Sequence, residues 1–271
     1  MDESWEEIGS RTAKGGFSNE DRVEKKFNNW EDDNEAKAWL VQMRYTLDEI
    51  DSVTVRKIGG RNKADILVTI SLLDGNQNQE RISCKKQNKN GYNHIGRNSV
   101  DFYSDKFGFT PVTRRGLKKF CGDTGHSPVE LFDQGKITQK EYEQLKAIPQ
   151  KRKKPAKEAK GGRFYFEELK EEEQKSILED FKANLQKILN FIIRGEGEYQ
   201  ADWMLITKSI DGIHQYHLET VDESLMRAWG EVRKSKETKS SFRIGSITVQ
   251  RKGGTGGATN LQFKWSNIFP E

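Results

Sequence analysis

Between Val53 and Lys85 the chain carries three short stretches rich in β-branched and aliphatic residues: Val53 to Ile58, Ala64 to Leu73 and Arg81 to Lys85. The last two are separated by Asp74-Gly75-Asn76-Gln77-Asn78, a run of turn formers. Runs of this length and composition, bounded by turn residues, are strands, so this region is a meander. Helical patterns precede it. Ser18-Asn19-Glu20-Asp21 is a small polar start followed by early acids, and Val23, Phe27 and Trp30 then recur at helical spacing. A second helical stretch runs from Glu35 to Arg44.

Beyond the meander, Arg114 to Lys146 again favours helices. Phe166 to Ile193 repeats Ile177, Phe181, Leu185, Ile188 and Ile192 at steps of three and four, then stops at Gly195. Tyr199 to Lys208 and Gly212 to Leu218 read as strands. Phe242 to Arg251 pairs with Thr259 to Trp265 across the glycine-rich loop from Lys252 to Ala258. The expectation is an α/β fold, a mixed central sheet flanked by helices, with a C-terminal β-hairpin.

A chain of 271 residues is long enough to bury a substantial core. Its charged fraction is 32%, but six Trp and 14 Phe exclude a disordered polyelectrolyte. Net charge is only +4, so any attraction to nucleic acid depends on distribution. Lys151 to Lys160 and Arg243 to Lys252 are basic and Glu167 to Glu173 acidic, a patchy field suited to one DNA-facing side. Cys84 and Cys121 are too few for a disulfide framework or a zinc site. No apolar run approaches the roughly 20 residues that span a bilayer, and Met1 to Trp5 opens with acids, so the expected location is the cytoplasm. The stretch from Pro149 to Gly162 has no large apolar residue and reads as a linker or exposed insertion.

The residues that carry chemistry are Lys63-Ala64-Asp65 at the start of one strand and Ser83-Cys84-Lys85 in the next. Alternation along a strand puts Ser83 and Lys85 on one face and Cys84 on the other. If the two strands are neighbours, Asp65 meets both at one point. An anionic oxygen ligand, a polar group and an ammonium then share a space, which is what a metal-dependent phosphodiesterase needs. Glu20 on the first helix offers a second carboxylate, because one Asp alone makes a poor magnesium site. Spacing alone leaves blander readings open: Asp65 as a turn cap, Lys85 as a solvated strand charge, Glu20 as a first-turn helix stabiliser. The four histidines form no ligand pair at helical spacing, and His214 and His217 fall on different strand faces.

The chain resembles the type II restriction endonucleases of the HinP type, related to MspI, in the P-D…D/E-x-K nuclease superfamily. The resemblance is carried by Gly9-Ser10 to Lys14, Gly16-Phe17, Phe27, Asn29-Trp30, Trp39-Leu40-Val41 and Leu47 to Ile50. It continues through Lys63, Asp65-Ile66, Lys85 and Gly91 to Ile95. It ends with Arg194 to Gly197, Trp203, Gly245 to Gly254 and Asn260 to Lys264, leaving about Gly125 to Gly162 as an insertion. It implies that Asp65 and Lys85 are the catalytic Asp and Lys; with Mg2+ as the expected cofactor, Asp65, Glu20 and Ser83 are the candidate metal ligands, and Glu20 becomes the more valuable second carboxylate. Ser83 departs from the pattern, since the superfamily has Asp or Glu there and this branch a carboxamide. A hydroxyl is a weaker and shorter ligand.

The resemblance also implies double-stranded DNA as partner and cleavage at GCGC or a close relative, leaving a 5′-phosphate and a 3′-hydroxyl. A monomer or weak dimer would nick the strands in separate events, and a cognate methyltransferase would act on the same site without having to bind. Base reading needs side-chain donors and acceptors in the major groove. Asn93, His94 and Arg97 offer them after the catalytic strand; Gln250, Arg251, Lys252, Thr255, Asn260 and Gln262 offer them around the C-terminal hairpin. Arg251 and Lys252 are favoured for guanine or phosphate. The expected organisation is a catalytic nuclease core over 1–124, a basic insertion or linker over 125–162, and helices plus a DNA-recognition region over 163–271, which can pack with the core as one domain. The rivals are a structure-directed repair or recombination nuclease and a sequence-specific DNA-binding protein that has lost catalysis.

Overall fold

A computed structural model of the chain describes residues 18–60, 62–87, 91–123, 132–135, 137–140, 142–143, 164–236, 238–252 and 259–270. It divides into two compact units, each assembled from separate stretches of chain. The first comprises Met1–Asn93, Leu189–Ala228 and Trp265–Glu271; the second comprises His94–Ile188 and Trp229–Lys264.

The first unit is built on a five-stranded sheet in the order β1-β2-β3-β5-β6, with β1 Ile50–Lys57, β2 Ile66–Leu72, β3 Gln77–Lys86, β5 Trp203–Ile210 and β6 Ile213–Thr220. β1, β2 and β3 form the expected antiparallel meander, β3 pairs parallel with β5, and β5 pairs antiparallel with β6, so the sheet is mixed. Helix α1 (residues 18–28) and helix α2 (Asn34–Gln42) cover one face. Val53, Ile66, Val68, Ile70, Ile82, Cys84, Leu205 and Leu218 from the strands pack there against Val23, Phe27, Trp39 and Leu40. The rings of Phe27 and Trp39 lie 5.1 Å apart. Cys84 points into this core, so by alternation Ser83 and Lys85 face the other way.

The second unit holds another five-stranded sheet, ordered β4-β10-β9-β8-β7, whose strands are β4 Tyr92–Asn98, β7 Val232–Lys234, β8 Ser241–Ile244, β9 Ile247–Arg251 and β10 Leu261–Ser266. Its helices are α3 (Val100–Phe107), α4 (Pro111–Cys121) and α5 (Glu171–Ala183). Phenylalanines form the core: the Phe242 ring sits 4.8 Å from Phe181 and 5.2 Å from Phe166. Glu173 of α5 is fully buried and paired with Arg115 and Lys119 of α4, which neutralises a charge that could not otherwise be taken out of water. Helix α4 begins where Thr110 accepts from the Thr113 amide and Pro111 takes the first position.

Several elements differ from the sequence expectation, each for a local reason. The strand expected over Phe242 to Arg251 is two strands, folded back at Gly245, whose φ is +52°. The helix expected from Phe166 to Ile193 is a 3-10 turn at Phe166–Glu168, then α5, then α6 (Leu185–Ile193), with Asn184 leaving the helix and its amide bonding to the Asp180 carbonyl. The segment following β3 is itself strand β4 and runs into α3, and Val221–Ala228 forms α7; neither helix has an apolar repeat long enough to be read from sequence. The basic stretch 151–160 and the loop 253–258 lie outside the described residues.

Gly195 ends α6 with φ +85° and lies against Lys63, so that a Cβ there would collide with the Lys63 side chain. The Gly195→Ala variant is therefore expected to lose about 1–3 kcal/mol of stability, read from the urea midpoint; an unchanged midpoint would show that the Lys63 to Asp65 segment is not braced by this contact.

Candidate active site

The site is made where β2 begins and β3 ends. Pairing of Ile66 with Ile82 and the bond from the Asp65 amide to the Ile82 carbonyl, 2.8 Å, bring Asp65 beside Ser83. Asp65 Oδ2 accepts from the Lys85 ammonium at 2.8 Å, from the Cys84 amide at 2.7 Å and from the Ser83 hydroxyl at 3.3 Å. Lys85 also donates to the Cys84 carbonyl at 3.1 Å. The three bonds to Asp65 all fall on Oδ2, and among the described residues none falls on Oδ1, the oxygen left for a cation.

Glu20 joins the set electrostatically. Burial, followed by the negative charge of Asp65, raises its pKa above that of an ordinary Glu, while Lys85 and Lys57 pull the other way. Two carboxylates that feel each other, with oxygen as the only donor type, are a situation a hard divalent cation relieves. Among the described residues no three or more His, Cys, Asp or Glu side chains gather as a metal site. Ser83 is fully buried and spends its hydroxyl on Asp65, whereas Asp65 and Lys85 keep 24% and 13% of their side-chain surface. Cys84 is buried on the core face, and burial holds its thiol well above the usual range, which removes it from nucleophilic chemistry.

One neighbour escaped the sequence reading as a site residue. Burial first, and then the charge of Lys85, draws the Lys63 ammonium down to about 7, with Asp65 opposing the shift. Its place two residues before Asp65 was the available signal.

The residues expected to read DNA fall into distinct settings. Asn93 spends its side-chain amide on the Lys86 carbonyl, 2.7 Å. His94 reaches solvent on one side; desolvation of the other side, then the cations Lys264 and Arg97, pull it down to about 4, so it is neutral at neutral pH. Gln250 and Gln262 share a face of the second sheet and touch through their amides at 3.4 Å, with Thr248 and Lys264 on that same face by alternation. The Lys252 amide bonds the Asn260 carbonyl at 2.9 Å, and Thr255 lies outside the described residues. Arg251 is engaged internally: Nη1 donates to the Phe164 carbonyl at 2.9 Å and the guanidinium lies over Tyr165 and Phe120, at 5.1 and 5.9 Å. Arg251→Ala is accordingly expected to cost about 1–2 kcal/mol of stability through the lost bond and cation–π contacts, read from a thermal or urea midpoint; full stability with lost base discrimination would return Arg251 to base reading.

Residues 151–269 match the R.HinP1I restriction endonuclease family. Among solved structures, the restriction endonuclease MspI in complex with its cognate DNA superposes with a TM-score of 0.54 at 15% identity, covering 90% of this chain and 87% of that one. Among curated proteins none matches. No helix among the described residues is long and apolar enough to cross a membrane. The chain is thus similar to the R.HinP1I restriction endonuclease family over its C-terminal part, and shares the fold of MspI over most of its length.

Proposed function

We propose that this enzyme hydrolyses one phosphodiester bond in each strand of double-stranded DNA at a short palindromic site, GCGC or a close relative, with Mg2+ as cofactor. The observation that carries the reading is the convergence of Lys85, the Cys84 amide and the Ser83 hydroxyl on one oxygen of Asp65, beside a Glu20 whose carboxyl already senses that charge.

In this reading Asp65 and Glu20 would hold the metal, which would supply charge neutralisation at the scissile phosphate and a more acidic water. Ser83 acts through Asp65, fixing its rotamer, because a buried hydroxyl bonded to the carboxylate is a positioning group. That accounts for how a hydroxyl is tolerated where the superfamily has an acid. Lys85 is aimed by Asp65 and the Cys84 carbonyl, and its ammonium donates toward the attacking water or a phosphate oxygen, stabilising charge that grows in the transition state. Water oxygen bonds to phosphorus, the bond from phosphorus to the 3′ oxygen breaks, and a proton reaches that oxygen, leaving a 5′-phosphate and a 3′-hydroxyl. Sequence is read by Gln250, Gln262, Asn260, Lys252, His94 and Arg97, with Lys264 added to the set and Thr255 kept from the sequence reading; Asn93 and Arg251 hold backbone in place. Magnesium, target sequence, oligomeric state as monomer or weak dimer, a companion methyltransferase and a cytoplasmic location all belong to this proposal.

Digestion of a fully sequenced plasmid with magnesium, with ends mapped, tests the reading: discrete cuts at one motif support it, preferential cutting of branched DNA points to a repair nuclease, and specific binding without cleavage points to lost catalysis. Asp65→Ala and Lys85→Ala are each expected to abolish cleavage while retaining specific binding in calcium; cleavage by either variant would overturn the site. Because burial and Asp65 favour the protonated Glu20, a metal must displace that proton, so apparent affinity for Mn2+ should climb as pH rises through a range above that of an ordinary Glu. Calorimetric titration of Glu20→Gln should show weaker binding and a flatter climb, and an unchanged pH dependence would remove Glu20 from the metal.

A further inference from the structure

The end of the first sheet at which Asp65 and Lys85 meet continues toward β6 as a cluster of positive charge that the cleavage reaction does not use. Lys85 and Lys86 are successive residues of β3 and therefore point to opposite faces. On the Lys86 side the sheet carries a lateral row, Lys86 paired with Thr207 and Thr207 paired with Tyr216, and one step nearer the sheet end Ser209 pairs with His214. The His214 Nδ1 lies 2.6 Å from the Ser209 hydroxyl, which fixes the ring. From α1, Arg22 bonds to the Tyr216 side chain and Lys26 lies over the Tyr216 ring at 5.4 Å.

The charges around His214 are all of one sign. Beyond desolvation, its neighbours are Arg22, Lys86 and Lys26, and all of them disfavour its protonated form. Lys26 is neutralised by Asp33 and Glu35, at 2.9 and 2.6 Å. Lys57, at the β1 end of the same sheet, is likewise met by Asp21 and Glu24. Among the described residues Arg22 and Lys86 have no such carboxylate. Two polar groups beside Tyr216 are also left over: Arg22 Nη1 and Thr207 Oγ1 are closed to solvent and have no hydrogen-bond partner among the described residues. Both can donate, so the complement that fits them and the local charge is an acceptor carrying negative charge, or the water bound to one.

We propose that Arg22, Lys86 and His214 bind a backbone phosphate of the duplex, one separate from the scissile phosphate at Asp65 and Lys85. The proposal rests on the reading of the chain as a DNA-cleaving enzyme and adds the residues that hold the strand beyond the cut. A contact of this kind sets the register of the backbone across the sheet end without reading sequence. Arg22, tied to Tyr216, supplies fixed direction, Lys86 supplies charge from the end of the catalytic strand, and neutral His214 supplies a ring nitrogen that gains a proton when an anion arrives.

Equilibrium binding in calcium, with cognate and scrambled duplexes over a series of salt concentrations, tests it. Lys86→Gln and Arg22→Gln are each expected to lower the slope of log affinity against log salt by roughly 0.9, the value for one phosphate neutralised, and to weaken both duplexes by the same factor. Lys86→Arg should restore the slope. Unchanged slopes in both Gln variants with wild-type melting temperatures would overturn the proposal, as would a loss confined to the cognate duplex, which would mark a base contact. Should Arg22→Gln fail to fold, Lys86→Gln decides alone, since that side chain is not part of the core. A wild-type protein that binds both duplexes equally would fail the sequence-specific reading while the slopes still judge the phosphate contact.

Discussion

The candidate active site depends on one register. Because Ile66 of β2 lies opposite Ile82 of β3, the residue before Ile66 stands beside the residue after Ile82, and Asp65 can take the Cys84 amide, the Ser83 hydroxyl and the Lys85 ammonium on a single oxygen. A slip of one residue would turn Ser83 and Lys85 into the apolar face and Cys84 out of it. The core prevents that slip: Ile82 and Cys84 are locked among Val23, Phe27 and Trp39, so packing on one face of the sheet enforces chemistry on the other.

Electrostatic tension around Asp65 follows from the same convergence. Burial, and then the charge of Asp65, disfavours Glu20 as an anion; burial, and then the charge of Lys85, disfavours Lys63 as a cation. A site so poised is changed strongly by the arrival of a positive ion on one side and a phosphate on the other, and clustering of perturbed ionisation is a property of catalytic centres more than of solvated surfaces. Ser83 fits this setting as a neutral donor. It steadies Asp65 without adding a third negative charge to a pair that is already in conflict.

The second unit shows how little a residue's type says about its use. Arg251 has the chemistry of a guanine reader, yet its guanidinium is bonded to the Phe164 carbonyl and stacked on Tyr165. Gln250 and Gln262, two other candidate readers, meet across the sheet and present paired amides on the face that also bears Lys264. Free Arg and Lys donors are attracted to any carbonyl or ring within reach, and only the packing around them determines which are left to meet a ligand.

Much of the first unit was legible from the chain alone. The turn at Asp74 to Asn76, the three strand patterns and the placement of Cys84 inward with Ser83 and Lys85 outward follow from period-two alternation, which is a local property. Helix α1 likewise announced itself through Val23 and Phe27. Hidden were the elements whose formation depends on distant partners: β4, α3 and α7, the reversal at Gly245, and the break at Asn184. Sequence by itself therefore determined the candidate motif of Asp65, Ser83 and Lys85, its strand faces and a resemblance to a family of nucleases. Tertiary structure decided the partners of each side chain: Ser83 buried against Asp65, Arg251 consumed internally, and Arg22, Lys86 and His214 gathered at one sheet end, because contacts between residues far apart in the chain are set by strand pairing and packing and leave no periodic trace in the sequence.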